Sequence, residues 1–225
     1  NRGVTVAVRM NSEGSRKNNH VIEYNYFGPR QVLGANGGET LRIGTSHFSR
    51  EYANTLVQYN YFDRTNGEHE IISNKSSGNT FIGNVFFEAQ GTLTMRHGHY
   101  TRVENNYFLG NRKPNTGGIR IINEHQTVSN NYLYGLTGRR FRGALVIMNG
   151  VPNSPPNRYD PVIESQMDNN VVIDSDYIQL GAGADEERSA PPSRSQMHNN
   201  IILGKQNLNP ITVFDDVSGI SFKGN

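Results

Sequence analysis

The chain has 225 residues, 34% of them hydrophobic, with a mean hydropathy of −0.65, so no run approaches the ~20 apolar residues of a membrane-spanning helix. A net charge of +2 is too small to argue for nucleic acid, and the absence of cysteine removes disulfides, thiolate metal sites and cysteine nucleophiles together. Polarity comes instead from 29 asparagines beside 24 glycines, residues that favour turns over helices, and arginine outnumbers lysine 17 to 5. Arginine forks suit planar carboxylates and sulfates, which points towards an anionic ligand.

A short motif recurs along the chain. YNYF ends at Phe27 and again at Phe62, then GNVF at Phe86, NNYF at Phe108, NNYL at Leu133, NNVV at Val172 and NNII at Ile202. Its anchors Asn25, Asn60, Asn84, Asn106, Asn131, Asn170 and Asn200 are separated by 35, 24, 22, 25, 39 and 30 residues. Asn225 follows 25 residues after Asn200 as a further anchor. The segments ahead of the anchors alternate, as in His20 to Tyr24 and Thr101 to Asn105. That pattern predicts short strands with one buried face. Three short strands with turns per ~22–25 residues make one coil of a right-handed parallel β-helix, too short a period for a propeller blade. The expected fold is therefore all-β, one domain over residues 1–225.

Stacked coils would bring the asparagines into one ladder of amides at the ~4.8 Å strand spacing, each at a turn that tolerates left-handed geometry. The longer spacings predict loops at Pro152 to Pro161 and Ala182 to Ser195, rich in proline, glycine and charge. No amphipathic cap helix and no signal-peptide pattern is visible, so the chain reads as an excerpt lacking its first rungs.

Chemistry-bearing residues concentrate between 36 and 142. Glu68 and Glu70 lie two apart, so on a strand both carboxylates face one way and His69 the other. Paired oxygen ligands without cysteine suit a hard ion, Ca²⁺ rather than Zn²⁺. Lys75, Arg96, Arg120 and Arg142 are spaced by 21, 24 and 22 residues, about one coil each. The spacing predicts a column of cations that is costly unless an extended polyanion lies along it. His97 adjoins Arg96, whereas His99 and His125 read as structural or exposed.

The segments NGGETLRIG, NGEHEIISNKS, GTLTMRHG and TGRRFRGALVIMNG resemble polysaccharide lyase family 6, the group of alginate lyases and chondroitin B lyase. The resemblance covers about residues 18 to 150 and thins beyond 160. It implies calcium ligands at Asn36, Glu68 and Glu70, a catalytic base at Lys75, a second catalytic residue at Arg96 and support from His97. Substrate binding is implied at Arg120 and Arg142.

The implied reaction is β-elimination at a 4-linked uronate, with mannuronate-containing alginate as the anionic substrate and secretion or the periplasm as the location. An iduronate-containing glycosaminoglycan such as dermatan sulfate is the alternative polymer. Epimerisation at carbon 5 shares the first proton abstraction but lacks a visible Tyr or His partner. A non-catalytic polysaccharide-binding β-helix would have no need of a base at Lys75. The proton donor stays open among Arg96, water and His97, and so does the oligomeric state.

Overall fold

A computed structural model describes residues 3–34, 36–205 and 208–225. Its strands form three parallel sheets of eight, eight and seven strands, each visited once per coil. The first sheet runs from Val6–Val8 through Leu41–Gly44, Glu70–Lys75, Thr92–His97, Ile119–Ile121, Leu145–Met148 and Ile178–Ala182 to Ile211–Val213. The second opens at Val21–Glu23 and the third at Tyr26–Phe27. This is the expected parallel β-helix. Helical content among the described residues is three short 3-10 turns, at Glu13–Ser15, Ser46–Phe48 and Arg140–Arg142.

In-register stacking lines the interior with like residues. Phe27, Phe62, Phe86 and Phe108 occupy one row, with ring centroids 4.8, 4.6 and 4.5 Å apart. Leu133 and Val172 continue that row, and Leu41, Ile72, Leu93, Ile119 and Leu145 form a row on the first sheet. Apart from the partly buried Phe27, these side chains are almost completely buried, which supplies the main drive for folding.

The asparagine anchors form the expected ladder. Each Nδ2 donates to the next anchor's Oδ1 at 2.9–3.0 Å, from Asn25 through Asn60, Asn84, Asn106, Asn131, Asn170 and Asn200 to Asn225. The same Oδ1 also accepts the preceding anchor's backbone N–H, so one amide closes two coils at once. Left-handed geometry falls one residue earlier than expected. Tyr24, Tyr59, Asn105, Asn130, Asn169 and Asn199 have φ of 53–58°, and the anchors themselves do not have positive φ. The turn residue bends the chain, which frees the anchor's amide for hydrogen bonding.

Both expected loops are present, with one boundary moved. Residues 152–161 carry no strand, whereas Ala182 ends one strand and Ser195 begins another, leaving 183–194 as the loop.

Candidate active site

The outward face of the first sheet brings three carboxylates together. Ligand-capable oxygens of Glu39, Glu68 and Glu70 lie within 4.8 Å of one another, and all three residues are buried. Glu70 begins its strand, but Glu68 and His69 sit in the bend before it. Strand alternation therefore does not govern them. His69, expected on the opposite face, is exposed and lies in the field of the site residues Arg120, Glu70, Arg142 and Glu39.

Each acid is held differently. Arg42 donates from Nε and Nη2 to Glu39 Oε1 at 2.9 and 2.5 Å, while Glu39 Oε2 is buried without a partner. Arg30 fixes the backbone there, donating from Nη1 to the carbonyls of Gly38 and Glu39 at 2.9 and 2.8 Å. Burial, then the charges of Glu39 and Glu70, push the Glu68 carboxyl up to about 8. Burial acts to raise Glu70 as well, but Arg120, the Ser73 hydroxyl, Arg96 and Lys75 outweigh it and hold Glu70 below the usual carboxylate range. Asn36 lies exposed in the adjoining turn, whose Gly37 N–H bonds to Glu68.

Lys75 ends the strand Glu70–Lys75, half-buried. No hydrogen bond or ion pair engages its side chain among the described residues. Burial pulls its pKa below that of free lysine, and Arg42 and Arg96 add to this against the opposing pull of Glu70 and Glu39. Burial, rather than the neighbouring Arg96 alone, is thus the chief cause.

Glycines pack the chain tightly around Lys75. Gly44 (φ +94°) and Gly98 (φ +88°) flank it on the two neighbouring coils. A Cβ at Gly44 would stand 2.5 Å from the Lys75 carbonyl oxygen, and one at Gly98 2.3 Å from the Ser76 carbonyl carbon. Only glycine fits these approaches, which accounts for the last residue of both RIG and RHG. Asn74 points inward beneath the turn, donating to the Ser76 and His97 carbonyls and to Thr101 Oγ1.

The four basic residues do not form the straight column that their spacing predicts. A register shift between Met95 and His97 sets His97, not Arg96, opposite Lys75. Arg120 stands opposite Thr94, and Arg142 lies in a 3-10 turn ahead of its strand. Arg96 therefore adjoins Lys75 as a bulge residue on the next coil. Its Nη1 donates to the Arg158 carbonyl at 2.8 Å, and its guanidinium lies 4.1 Å from the Tyr159 ring centre. Arg120, expected to touch substrate, is 1% exposed and donates from Nη2 to Glu70 Oε1 at 2.7 Å. Arg142 is half-buried, with Nε unpartnered.

His97 is buried, and burial followed by the charges of Arg96 and Lys75 pushes its pKa down to about 3. A neutral imidazole cannot act as a cationic acid near pH 7, which counts against His97 as the proton donor. His99 accepts the Glu124 N–H on Nδ1 at 3.3 Å and faces Asp160 at 3.6 Å. His125 stacks on Tyr100 at 4.5 Å. Both have structural partners.

The profile of the Chondroitinase B family matches residues 1–225. The chain belongs to the chondroitinase B family. Its motifs carry the same assignment, to polysaccharide lyase family 6. Among solved structures, the family 6 alginate lyase AlyGC is 58% identical with a TM-score of 0.98, matching 99% of this chain and 31% of its own. A mannuronic acid specific family 6 lyase from the human gut microbiota is 33% identical with a TM-score of 0.86, over 97% of this chain and 49% of its own. A family 6 alginate lyase in complex with a trisaccharide is 26% identical with a TM-score of 0.87, over 99% and 54%. The chain thus spans between about a third and a half of the length of these structures. No curated protein matches it.

Within this chondroitinase B family chain, sequence reasoning missed Glu39, Arg42 and Tyr159. A signal for the first two exists in NGGETLRIG, where Glu39 and Arg42 are an acid and a base three residues apart. Nothing local marks Tyr159, which reaches the site from a loop 62–63 residues after Arg96 and His97.

Proposed function

We infer that this chain is the catalytic β-helix of a polysaccharide lyase that cleaves mannuronate-containing alginate by β-elimination. One observation carries the reading: a half-buried lysine with lowered pKa and no side-chain partner lies between an arginine and a cluster of three acids. A polysaccharide binder has no use for an amine held ready to lose its proton.

Lys75 Nζ, in its neutral form, takes the proton from carbon 5 of the uronate. The C5–H electron pair becomes the C4–C5 double bond, the C4–O4 bond breaks, and O4 leaves with the chain on its other side. Arg96 directs guanidinium N–H groups at the charge growing on O4, which takes its proton from water or from the guanidinium, itself reprotonated from water, to finish as a hydroxyl. Arg120 keeps Glu70 ionised and fixed, Arg42 holds Glu39 in place through Oε1, and Arg142 faces the polymer's carboxylates.

The donor set suits a hard divalent cation. Three carboxylates converge, Glu39 Oε2 is buried without a partner, and burial together with the neighbouring acids pushes Glu68 towards its protonated form. Glu39, Glu68 and Glu70 would hold Ca²⁺, with the Asn36 amide supplied from the adjoining turn. Such an ion supplies positive charge to neutralise the uronate carboxylate and acidify the proton on carbon 5.

The family description favours a second polymer, an iduronate-containing glycosaminoglycan cleaved by the same chemistry. Either polymer is met outside the cytoplasm, which supports a periplasmic or secreted protein. The test is incubation with alginate and, separately, dermatan sulfate, following ultraviolet absorbance of unsaturated uronate ends with and without EDTA. Absorbance on alginate that EDTA removes and Ca²⁺ restores supports the reading. Silence on both polymers leaves only a binding module, and a signal indifferent to EDTA removes the ion.

A further inference from the structure

Apolar side chains on the solvent side of a β-helix sheet need a reason to be there. On the first sheet Ile122, Val146, Met148 and Ala182 form a small buried cluster separate from the main core, with Phe141 and Tyr159 packed against it. Each of these aromatics faces a site arginine. Tyr159 lies 4.1 Å from Arg96 and 5.4 Å from Arg188, and Phe141 lies 5.1 Å from Arg120.

Tyr159 belongs to the loop at residues 152–161, which is tied down at several points. Arg50 donates to Asp160 Oδ1 at 2.9 Å and to the Ser154 carbonyl at 2.7 Å, and Ser49 Oγ donates to the Pro156 carbonyl at 2.8 Å. Val151 N–H donates to the Tyr159 carbonyl at 2.7 Å, and Arg158 pairs with Glu187. The loop is therefore a strap that carries a ring and a carbonyl to Arg96.

Arg96 forms no salt bridge among the described residues. Its anchors are the Tyr159 ring, the Arg158 carbonyl and, at 3.5 Å, Nδ1 of the neutral His97, all uncharged. A carboxylate partner would hold the guanidinium as well, but would cancel the charge needed at a departing oxygen. A ring face fixes its plane and leaves that charge intact. We propose that Tyr159 is a positioning residue, its ring orienting the Arg96 guanidinium towards the leaving oxygen. This rests on the reading of Arg96 in the proposed elimination.

The experiment compares Tyr159→Phe and Tyr159→Leu in the full chain. Tyr159→Phe keeps kcat within about two-fold, and Tyr159→Leu lowers it about ten-fold with KM nearly unchanged. Adding Tyr159→Leu to Arg96→Ala causes no further loss, because the ring then has nothing to orient. The Arg96 Nε–H resonance, shifted by the ring current in the parent and in Tyr159→Phe, loses that shift in Tyr159→Leu. Equal loss in Phe and Leu variants, a change confined to KM, additive loss on Arg96→Ala, or an unmoved resonance each overturns the proposal. If the parent protein cleaves no polymer, the proposed function fails, while the resonance still decides whether the ring holds Arg96.

Discussion

Arg120 reaches back across the strand Thr92–His97 to donate from Nη2 to Glu70 Oε1 at 2.7 Å, joining two strands of the first sheet that are not neighbours. Both side chains are almost completely buried. Arg120→Met leaves Glu70 as an uncompensated buried charge, at a cost of about 3–5 kcal/mol. At ~2–4 °C per kcal/mol for a domain of this size, the melting temperature falls by roughly 6–20 °C. Thermal unfolding of the variant and of Arg120→Met/Glu70→Gln measures this. The double variant recovers a large part of the loss.

Lys75→Ala removes the base and lowers kcat by about 10²–10⁴ while polymer binding persists. Initial rates with the parent rise with pH through the Lys75 pKa, since only the neutral amine accepts a proton. That rise lies below the range of free lysine because burial lowers the pKa. A rate that falls with pH over this interval contradicts the assignment.

His97 gives stability a pH dependence whose sign follows from its burial. Unfolded, it titrates near the ordinary imidazole value of 6.5, and folded at about 3, so between these values the unfolded state binds more protons. Stability from neutral burial is present above 6.5 and is lost as pH falls towards 3, at about 1.4 kcal/mol per unit. Denaturation midpoints of the parent and His97→Gln across this window isolate the contribution from that of the carboxylates. The parent's midpoint drops more steeply on acidification.

The asparagine ladder predicts a gradient of mutational cost along the helix axis. Asn106→Ala strips the acceptor from the buried Asn84 backbone N–H and the donor from the Phe81 carbonyl, while Asn84 Nδ2 keeps the Val57 and Ile82 carbonyls. Unsatisfied buried groups of this kind bring the cost to about 3 kcal/mol. Asn25, at the exposed end of the ladder, costs less than about 1 kcal/mol when changed to Ala, because water replaces its partners. Equal destabilisation at the two positions would rule out the ladder as the source.

The fold was legible because a ladder needs the same residue at the same corner of every coil, and that constraint writes its period into the sequence. Asn25 to Asn225 could be counted without a structure. The site was legible only in part. Residue spacing counts along the chain, whereas stacking follows strand register, and the extra residue at Arg96 displaces it from the Lys75 row. Glu39 enters the acid cluster through a backbone path that Arg30 holds in place, and no strand alternation encodes that path. Tyr159 depends on where a proline-rich loop lies once folded, which composition does not specify.

Mass spectrometry of the products from a defined mannuronate oligomer tests the central claim most directly. Elimination adds no atoms, so one fragment of each pair is lighter by one water than the saturated oligomer of its length. The account predicts that fragment from the parent protein with Ca²⁺ present, and its absence from Lys75→Ala. Two saturated fragments, which mark hydrolysis, or unsaturated product from Lys75→Ala would contradict it.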